Sequence, residues 1–534
     1  MSGTPMPIDS HSAHVRWTIY LLLTVAACTA LVIALDGGIL VGYENHAGML
    51  PVVRRILDAG YLPGDFGIEI RAHHHRVFAW IVAMLSSSGL GENGALAVLA
   101  VASYATLFGA LWALGGSLGL SPERRTLLCF AMASGFALIN HGVEANRMLG
   151  NGPIMPPTLA HAFALFSAAA MVNRRWNAAF AWSGAVALIH LQIGAIWLIV
   201  VLVTAGVYGV WRRPREWLTG CLAMLALSSP ALVDLVALSR QGLAQGIQSL
   251  NDVNLRMPQH FNFQVGRLAT VAVYLLVLCW LIWRWSRRGD ARAERFAPLA
   301  VVAVTIMALT LLHYADYYLL HTGALARVQL LRVSLIIPVL AIACLIAAIP
   351  QAPPAGAPRE RLVLLSLAAL MAAGALASAV FKGESPTLNV VDASKADTPW
   401  ADVCRWVREA GPVGLYVTPP GQTGFTTFTG RSTVVEFKIN PDGGAGLSQW
   451  LQRLAAVSGG ALPRNSSRSS VAKQLDQAYA RLGAEGFAAL QRDYGVRTAI
   501  VPSGSALAGR VLYQNAGYRV VELPAQATSA SRAD

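Results

Sequence analysis

Eleven apolar runs, most of them about the length of a membrane-crossing helix, dominate this chain of 534 residues. A helix needs about 20 apolar residues to cross the hydrocarbon core. The runs are 17–35, 94–119, 126–142, 156–172, 177–189, 193–211, 217–237, 265–285, 297–315, 329–349 and 362–381. The 35-residue stretch 177–211 is too long for one span, and it is split at His190-Leu191-Gln192-Ile193-Gly194, a polar interruption ending in glycine. Val77 to Leu90 is too short to span comfortably and is expected to lie on the membrane surface. Only 13% of residues are charged, against 55% hydrophobic. A soluble protein carries about 25% charged residues, so a soluble enzyme and a disordered regulator are both excluded. The first run, Trp17 to Leu35, is long enough to span and no small-residue cleavage site follows it, so it is read as an anchor and not as a signal peptide.

Charge placement orients the spans. The net charge is 41 minus 28, or +13. Much of that excess sits in short arginine clusters: Ser121–Arg125, Asn173–Trp176, Trp211–Glu216, Ser286–Arg295 and Pro350–Arg361. Two spans separate each neighbouring pair of clusters, so all five fall on one side, where Arg16 also places the N-terminus. Positive loops mark the cytoplasmic side, and this use of arginine disfavours nucleic-acid binding. All four lysines (Lys382, Lys395, Lys438, Lys473) follow the last span. The outer side then receives residues 36–93, 143–155, 190–192, 238–264, 316–328 and everything after 381. The six cysteines have no CxxC or metal-ligand spacing, so no disulfide framework is expected.

Ten of the twelve histidines map to outer loops or to span ends near that face. Ionisable groups at membrane depth are costly and mark functional candidates. The first outer loop, 36–93, is the richest in them. It carries Glu44, His46, Arg54, Arg55, Asp58, Asp65, Glu69 and Arg71, then His73-His74-His75-Arg76. Met49 to Leu57 has helical spacing of Leu50, Val53, Ile56 and Leu57. Pro63-Gly64 is a turn that leaves Asp65 on a loop. A carboxylate within hydrogen-bond reach of an acceptor hydroxyl acts as a general base, and Asp65 and Glu44 are the two candidates. Consecutive histidines do not converge on one ion in regular structure, so no metal is assigned to His73–His75. The cofactor stays open, a divalent cation included. Further outer groups are His141, Glu144 and Arg147; His190; Asn251, Asp252, Arg256 and His260; and His313, Asp316, His321 and Arg327, with Arg332 five residues on. Arginine pairs bidentately with phosphate oxygens. No Walker or HExxH motif occurs.

After Phe381 the chain turns polar. Residues 399–410, 447–456 and Ser470–Leu490 are expected as helices; Leu415–Thr418, Thr433–Phe437, Arg497–Pro502 and Tyr518–Leu523 as strands. Ser458–Ser469 reads as a loop. The expected fold class is therefore a polytopic α-helical membrane protein of about eleven spans (residues 1–381) with a small C-terminal α/β domain (382–534) on the outer face.

An N-terminal span, a long acidic outer loop with two surface helices, many further spans and an outer C-terminal domain together resemble the C-type (GT-C) glycosyltransferase superfamily. The resemblance rests on Tyr43 to Asp65, on His190 to Gly194, and on a tail motif. That motif comprises Thr418-Pro419-Pro420, Phe425, Gly430-Arg431, Glu436-Phe437-Lys438, Trp450 and Arg453. It implies a bacterial inner-membrane enzyme that takes a sugar from a polyprenyl-phosphate or -diphosphate carrier and passes it to a periplasmic glycan, lipid or protein. Asp65 and Glu44 match the base position. His75 and Arg76 loosely match a substrate-proximal segment of some members; with them, the outer-face residues His46, His141, Glu144, Arg147, His190, His260, Asp316, Arg327 and Arg332 are the expected substrate-binding groups. The partners implied are the lipid-linked sugar and the bilayer, with envelope assembly proteins as further candidates. Two other readings compete. A flippase of lipid-linked glycans requires polar groups on both faces, whereas these gather on one. A non-catalytic envelope scaffold accords with the absence of the paired acidic dyad found in many members.

Overall fold

The computed structural model describes residues 10–73, 75–135, 142–143, 148–149, 152–240, 252, 255, 258–325, 328–351, 353, 356–441, 444–460, 462–463 and 468–524. His141, Glu144, Arg147 and Arg327 lie outside the described residues. The helices in chain order begin with α1 (Ser10–Leu35), α2 (His46–Leu57), α3 (Phe66–Arg71), α4 (Arg76–Leu85) and α5 (Gly91–Ser117). Then come α6 (Pro122–Ala133), α7 (Pro156–Val172), α8 (Trp176–Ile189), α9 (Leu191–Val207) and α10 (Pro214–Arg240). The last apolar helices are α11 (Val265–Arg287), α12 (Arg292–Tyr314), α13 (Ile336–Ala348) and α14 (Ala357–Phe381). Every apolar run expected to span is helical over its described core. Seven helical stretches are long and apolar enough to cross a membrane, and α7, α8 and α9 are shorter apolar helices, among the described residues.

The chain divides into two compact units that are not contiguous in sequence. One comprises residues 1–39, 97–233 and 262–389; the other comprises 40–96, 234–261 and 390–534.

The first unit is a helix bundle. Its neighbours include α7 with α8, α8 with α9, α11 with α12 and with α13, and α6 with α1 and with α14. Helix α13 is largely enclosed, with Ile336, Ile337, Val339, Leu340, Ala341 and Ala343 fully buried. Helices α11 and α14 instead expose large apolar side chains, such as Leu276 at 67% and Leu370 at 69%. Such faces are stable against lipid and costly against water. Small and hydroxyl residues supply the close contacts, as expected where lipid removes the hydrophobic drive between helices. A Cβ on Gly194 would sit 2.2 Å from the Ala187 Cα, so glycine lets α8 and α9 meet backbone to backbone. Thr24 and Thr126 hydrogen-bond at 2.9 Å across α1 and α6. The helix break expected at His190 falls there: this residue ends α8 and caps α9, its Nδ1 accepting the Ile193 N–H at 3.4 Å.

The second unit contains α2 to α4 and a C-terminal α/β domain. Helix α15 (Pro399–Ala410) starts with Thr398 accepting the Ala401 N–H, has Pro399 in its first turn, and ends at Gly411-Pro412. These are the start and stop signals that physics favours. Its Trp400, Val403, Cys404 and Val407 repeat at helical spacing and are buried. They join Tyr416, Phe425, Ile500 and Val520 in one core. The sheet has order β1 (Tyr416–Val417), β2 (Thr498–Pro502), β4 (Tyr518–Glu522), β3 (Arg510–Gln514), with β1 and β2 parallel and the rest antiparallel. Thr498 to Val501 are buried in an unbroken run, as a central strand covered on both faces requires. The remaining helices are α16 (Phe425–Thr429), α17 (Gly444–Val457), α18 (Arg468–Ala480) and α19 (Ala484–Tyr494).

Two local expectations need correction. Ser470–Leu490 is not one helix but two, broken at Arg481–Gly483. Thr433–Phe437 forms no strand: only Thr433 bridges to Tyr416, because Glu436 beyond it bonds to the 424–426 turn. Strand β3 and helix α16 were not expected at all. The six cysteines are free thiols.

Candidate functional site

The second unit gathers the acidic loop and the tail motif around α2 and α3. Glu44 stands just before α2 with φ of +48°. A non-glycine residue rarely adopts this left-handed conformation, and such strain clusters at functional sites. Its carboxylate pairs with the ammonium of Lys438, 394 residues away. The lysine side chain is 7% exposed and the Glu44 side chain 56%. The structure thus sinks the cation and leaves the carboxylate at the surface. His46 is wholly buried, and its Nδ1 accepts the Gly42 N–H at 3.3 Å.

Asp65 is the N-cap of α3. Its Oδ1 accepts the Ile68 N–H at 3.0 Å, and Ser432 and Gly67 also hydrogen-bond to it. The residue is 4% exposed, and burial pushes its carboxyl above the usual range despite these bonds. Glu436 is buried as deeply. It accepts the N–H groups of Gly424 at 2.7 Å and Thr426 at 3.2 Å. Burial first, and the charge of Asp65 after it, push Glu436 up to about 7. Around these two acids Arg71 donates to the Asn440 carbonyl at 2.9 Å. Arg453 donates to the Val434 carbonyl at 3.0 Å and stacks 4.1 Å from the Phe66 ring centre. Trp450 donates to the Glu436 carbonyl at 3.3 Å. Within the tail motif, Lys438 pairs with Glu44 and Arg453 stacks on Phe66, so both are engaged by the acidic loop.

Elsewhere in this unit His75, at φ +53°, precedes α4. Arg76 Nη1 and His73 Nδ1 each lie 3.2 Å from Asp234 Oδ1. Asp234 was missed, although a lone carboxylate inside an apolar run is the signal that could have found it. His260 is buried. A cavity of about 380 Å³ opens beside α2, with Arg54, Glu92, Asp392, Lys395, Arg408 and Gly42 in its wall. Arg54 and Glu92 there form a two-pronged pair at 2.6 and 2.8 Å.

The first unit holds the other expected site residues. Arg332 donates to Gln329 Oε1 at 2.5 Å and lies 3.2 Å from His190 Nε2. Asp316 is buried, receiving the Thr322 hydroxyl and the Leu325 N–H at 2.9 Å, so it shapes its own turn. Among the described residues no three His, Cys, Asp or Glu side chains cluster as a metal site would need.

Residues 398–457 match a domain of unknown function, DUF6798. No curated protein matches the chain. Among solved structures, the chain is similar to ArnT from Cupriavidus metallidurans. The apo form of that protein gives a TM-score of 0.48 at 14% identity, over 95% of this chain and 98% of the other. The form bound to undecaprenyl phosphate gives 0.42 at 15%, with the same coverage. The matched domain holds all of the tail motif, from Thr418 to Arg453.

Proposed function

We propose that this protein is a membrane glycosyltransferase that moves a sugar from a polyprenyl-phosphate-type carrier to a hydroxyl acceptor, with Glu44 as general base. The observation that carries this reading is Glu44 itself: a surface carboxylate in a strained backbone, held in place by a buried lysine. Asp65 and Glu436 are carboxylates too, but their oxygens are engaged by backbone N–H groups below the surface. Asp65 is therefore assigned to positioning, since it starts α3 and packs the loop against the tail motif.

In the proposed step Glu44 takes the proton of the acceptor hydroxyl. The acceptor oxygen then forms a bond to the anomeric carbon, and the carbon–oxygen bond to the carrier phosphate breaks, its electron pair leaving with the phosphate. A single displacement of this kind inverts the anomeric centre. A cation must offset the charge on the leaving phosphate. The polar cavity whose wall includes Gly42, two residues from Glu44, suits a hydroxyl-rich acceptor.

The test compares Glu44→Gln with Asp65→Asn. Asparagine is as good a helix cap as aspartate, so the second change removes the charge and keeps the turn. Release of free polyprenyl phosphate from a panel of lipid-linked sugars should fall by roughly 10²–10⁴ in Glu44→Gln and by much less in Asp65→Asn. The reverse order, in two folded proteins, would transfer the base to Asp65. Full turnover in both variants would remove the outer-loop carboxylates from the chemistry.

A further inference from the structure

The arginine-bearing connections do more than orient the spans. In the helix bundle five arginines from three helices and a turn line one cavity of about 570 Å³. Arg124 comes from the start of α6, Arg284 from the end of α11, Arg288 from the following turn, and Arg292 and Arg295 from the start of α12. The ends of α13 and of α5 complete the wall, with Ala347 and Leu118. One carboxylate, Asp290, faces five cations. Orientation in a membrane needs positive loops, but it does not need their guanidinium groups to converge on a common space.

Two of the five are structural. Arg124 is buried and donates to the carbonyls of Ile349 at 2.9 Å and Pro350 at 3.0 Å and to Glu360 at 2.7 Å. Arg292 holds Asp290 at 2.5 Å and donates to the Ala347 carbonyl at 2.9 Å. These bonds fix the rim. Arg284 rests on the Trp280 ring at 5.3 Å. Among the described residues, the guanidinium groups of Arg288 and Arg295 have no hydrogen-bond partner. Arg295 lies against Gly119, whose φ is +77°, so closely that a Cβ there would stand 2.0 Å from its Nη1. The glycine therefore leaves the space that Arg295 occupies. The neighbouring surface of α11 is apolar and aromatic, with Trp280 49% and Trp283 58% exposed. Tryptophan of this kind sits at headgroup level, and basic pockets among spanning helices suit anionic lipid headgroups.

We propose that this pocket binds a phosphate group, gripped by Arg288 and Arg295 on a rim set by Arg124 and Arg292. Two sources offer that chemistry: the headgroup of an acidic phospholipid lying along α11, and a soluble phosphate ester.

The test uses the full chain in neutral detergent, with native mass spectrometry to count bound molecules. The probes are phosphatidylglycerol and phosphatidylcholine of identical acyl chains, and glycerol 3-phosphate. Wild type should retain phosphatidylglycerol in preference to phosphatidylcholine. The double variant Arg288→Gln/Arg295→Gln should weaken that retention by roughly tenfold or more. Arg288→Lys/Arg295→Lys, keeping charge without the two-pronged geometry, should fall in between. Displacement of the lipid by glycerol 3-phosphate assigns a soluble ester; resistance to it assigns the lipid. Equal retention of both lipids by wild type, with no glycerol 3-phosphate bound, would overturn the proposal, as would undiminished binding of phosphatidylglycerol or glycerol 3-phosphate by a folded glutamine variant. If that variant does not fold, wild type decides alone, because added salt must weaken a site built on exposed arginines. A salt-independent preference overturns it.

Discussion

Glu436 makes the C-terminal domain a pH-sensitive structure, and the size of the effect follows from its burial. Its carboxyl titrates at an ordinary 4.5 in the unfolded chain and at about 7 in the fold. The folded state therefore holds the proton more tightly. Stability is greatest below pH 4.5, falls as pH rises to about 7, and is level above that. A gap of this size amounts to about 3 kcal/mol. Asp65, also raised by burial, adds a loss of the same sign at lower pH. In Glu436→Gln the side chain cannot ionise, but Gly424 and Thr426 donate to different carboxylate oxygens, and one of these becomes an NH2 group that accepts nothing. One lost hydrogen bond costs about 1 kcal/mol. The two stability curves should therefore cross. The variant is less stable than wild type near pH 4.5 and more stable, by about 2 kcal/mol, above pH 7. Cys404 supplies the assay, since it lies wholly buried in the domain core. With the other five cysteines replaced, its labelling by a thiol reagent in urea reports opening of that core, at pH values where the thiol reaction itself is calibrated. Parallel curves for wild type and Glu436→Gln across pH 4.5 to 8 would refute the argument from burial.

Lys438→Met should lower turnover about tenfold, roughly one charge-assisted hydrogen bond, and should add nothing in a Glu44→Gln background, as measured by carrier release in a double-mutant cycle. Thr398→Ala removes the cap of α15 and should destabilise the C-terminal domain by about 1 kcal/mol, read by the same Cys404 labelling. Gly194→Ala forces a methyl into the Ala187 backbone and should cost at least about 1–3 kcal/mol, seen as a lower melting temperature in detergent or loss of the protein from the membrane.

Much of the helical architecture is legible along the chain because its causes are local. Run length and hydropathy locate the spans, and His190 breaks 177–211 because a polar side chain there can cap the next helix. Thr398, Pro399 and Gly411 bound α15 by the same kind of near-neighbour chemistry. Where sequence reading erred, a distant partner or a weak local signal was responsible. Thr433–Phe437 has strand composition, yet Glu436 is drawn into the 424–426 turn. The helix expected through residue 490 stops where Gly483 offers no support to its continuation. Strand β3 has only five residues, exposed or half-buried, so its alternation is faint.

The candidate site divides in the same way. Glu44 and Asp65 stand out from sequence as carboxylates in an outer loop, and the five arginine clusters stand out as topological signals. Nothing along the chain ranks the two acids. The proposed ranking rests on tertiary contacts: a lysine distant in sequence beside Glu44, and a helix for Asp65 to cap. The same holds for the influence of the Asp65 charge on Glu436, for Arg71 on the Asn440 carbonyl, and for five arginines sharing one cavity. Helix formation and membrane insertion depend on neighbours within a few residues and on mean hydropathy, so sequence alone determines them. Ion pairs and cavities depend on which distant segments pack together, and that is decided only when the chain has folded.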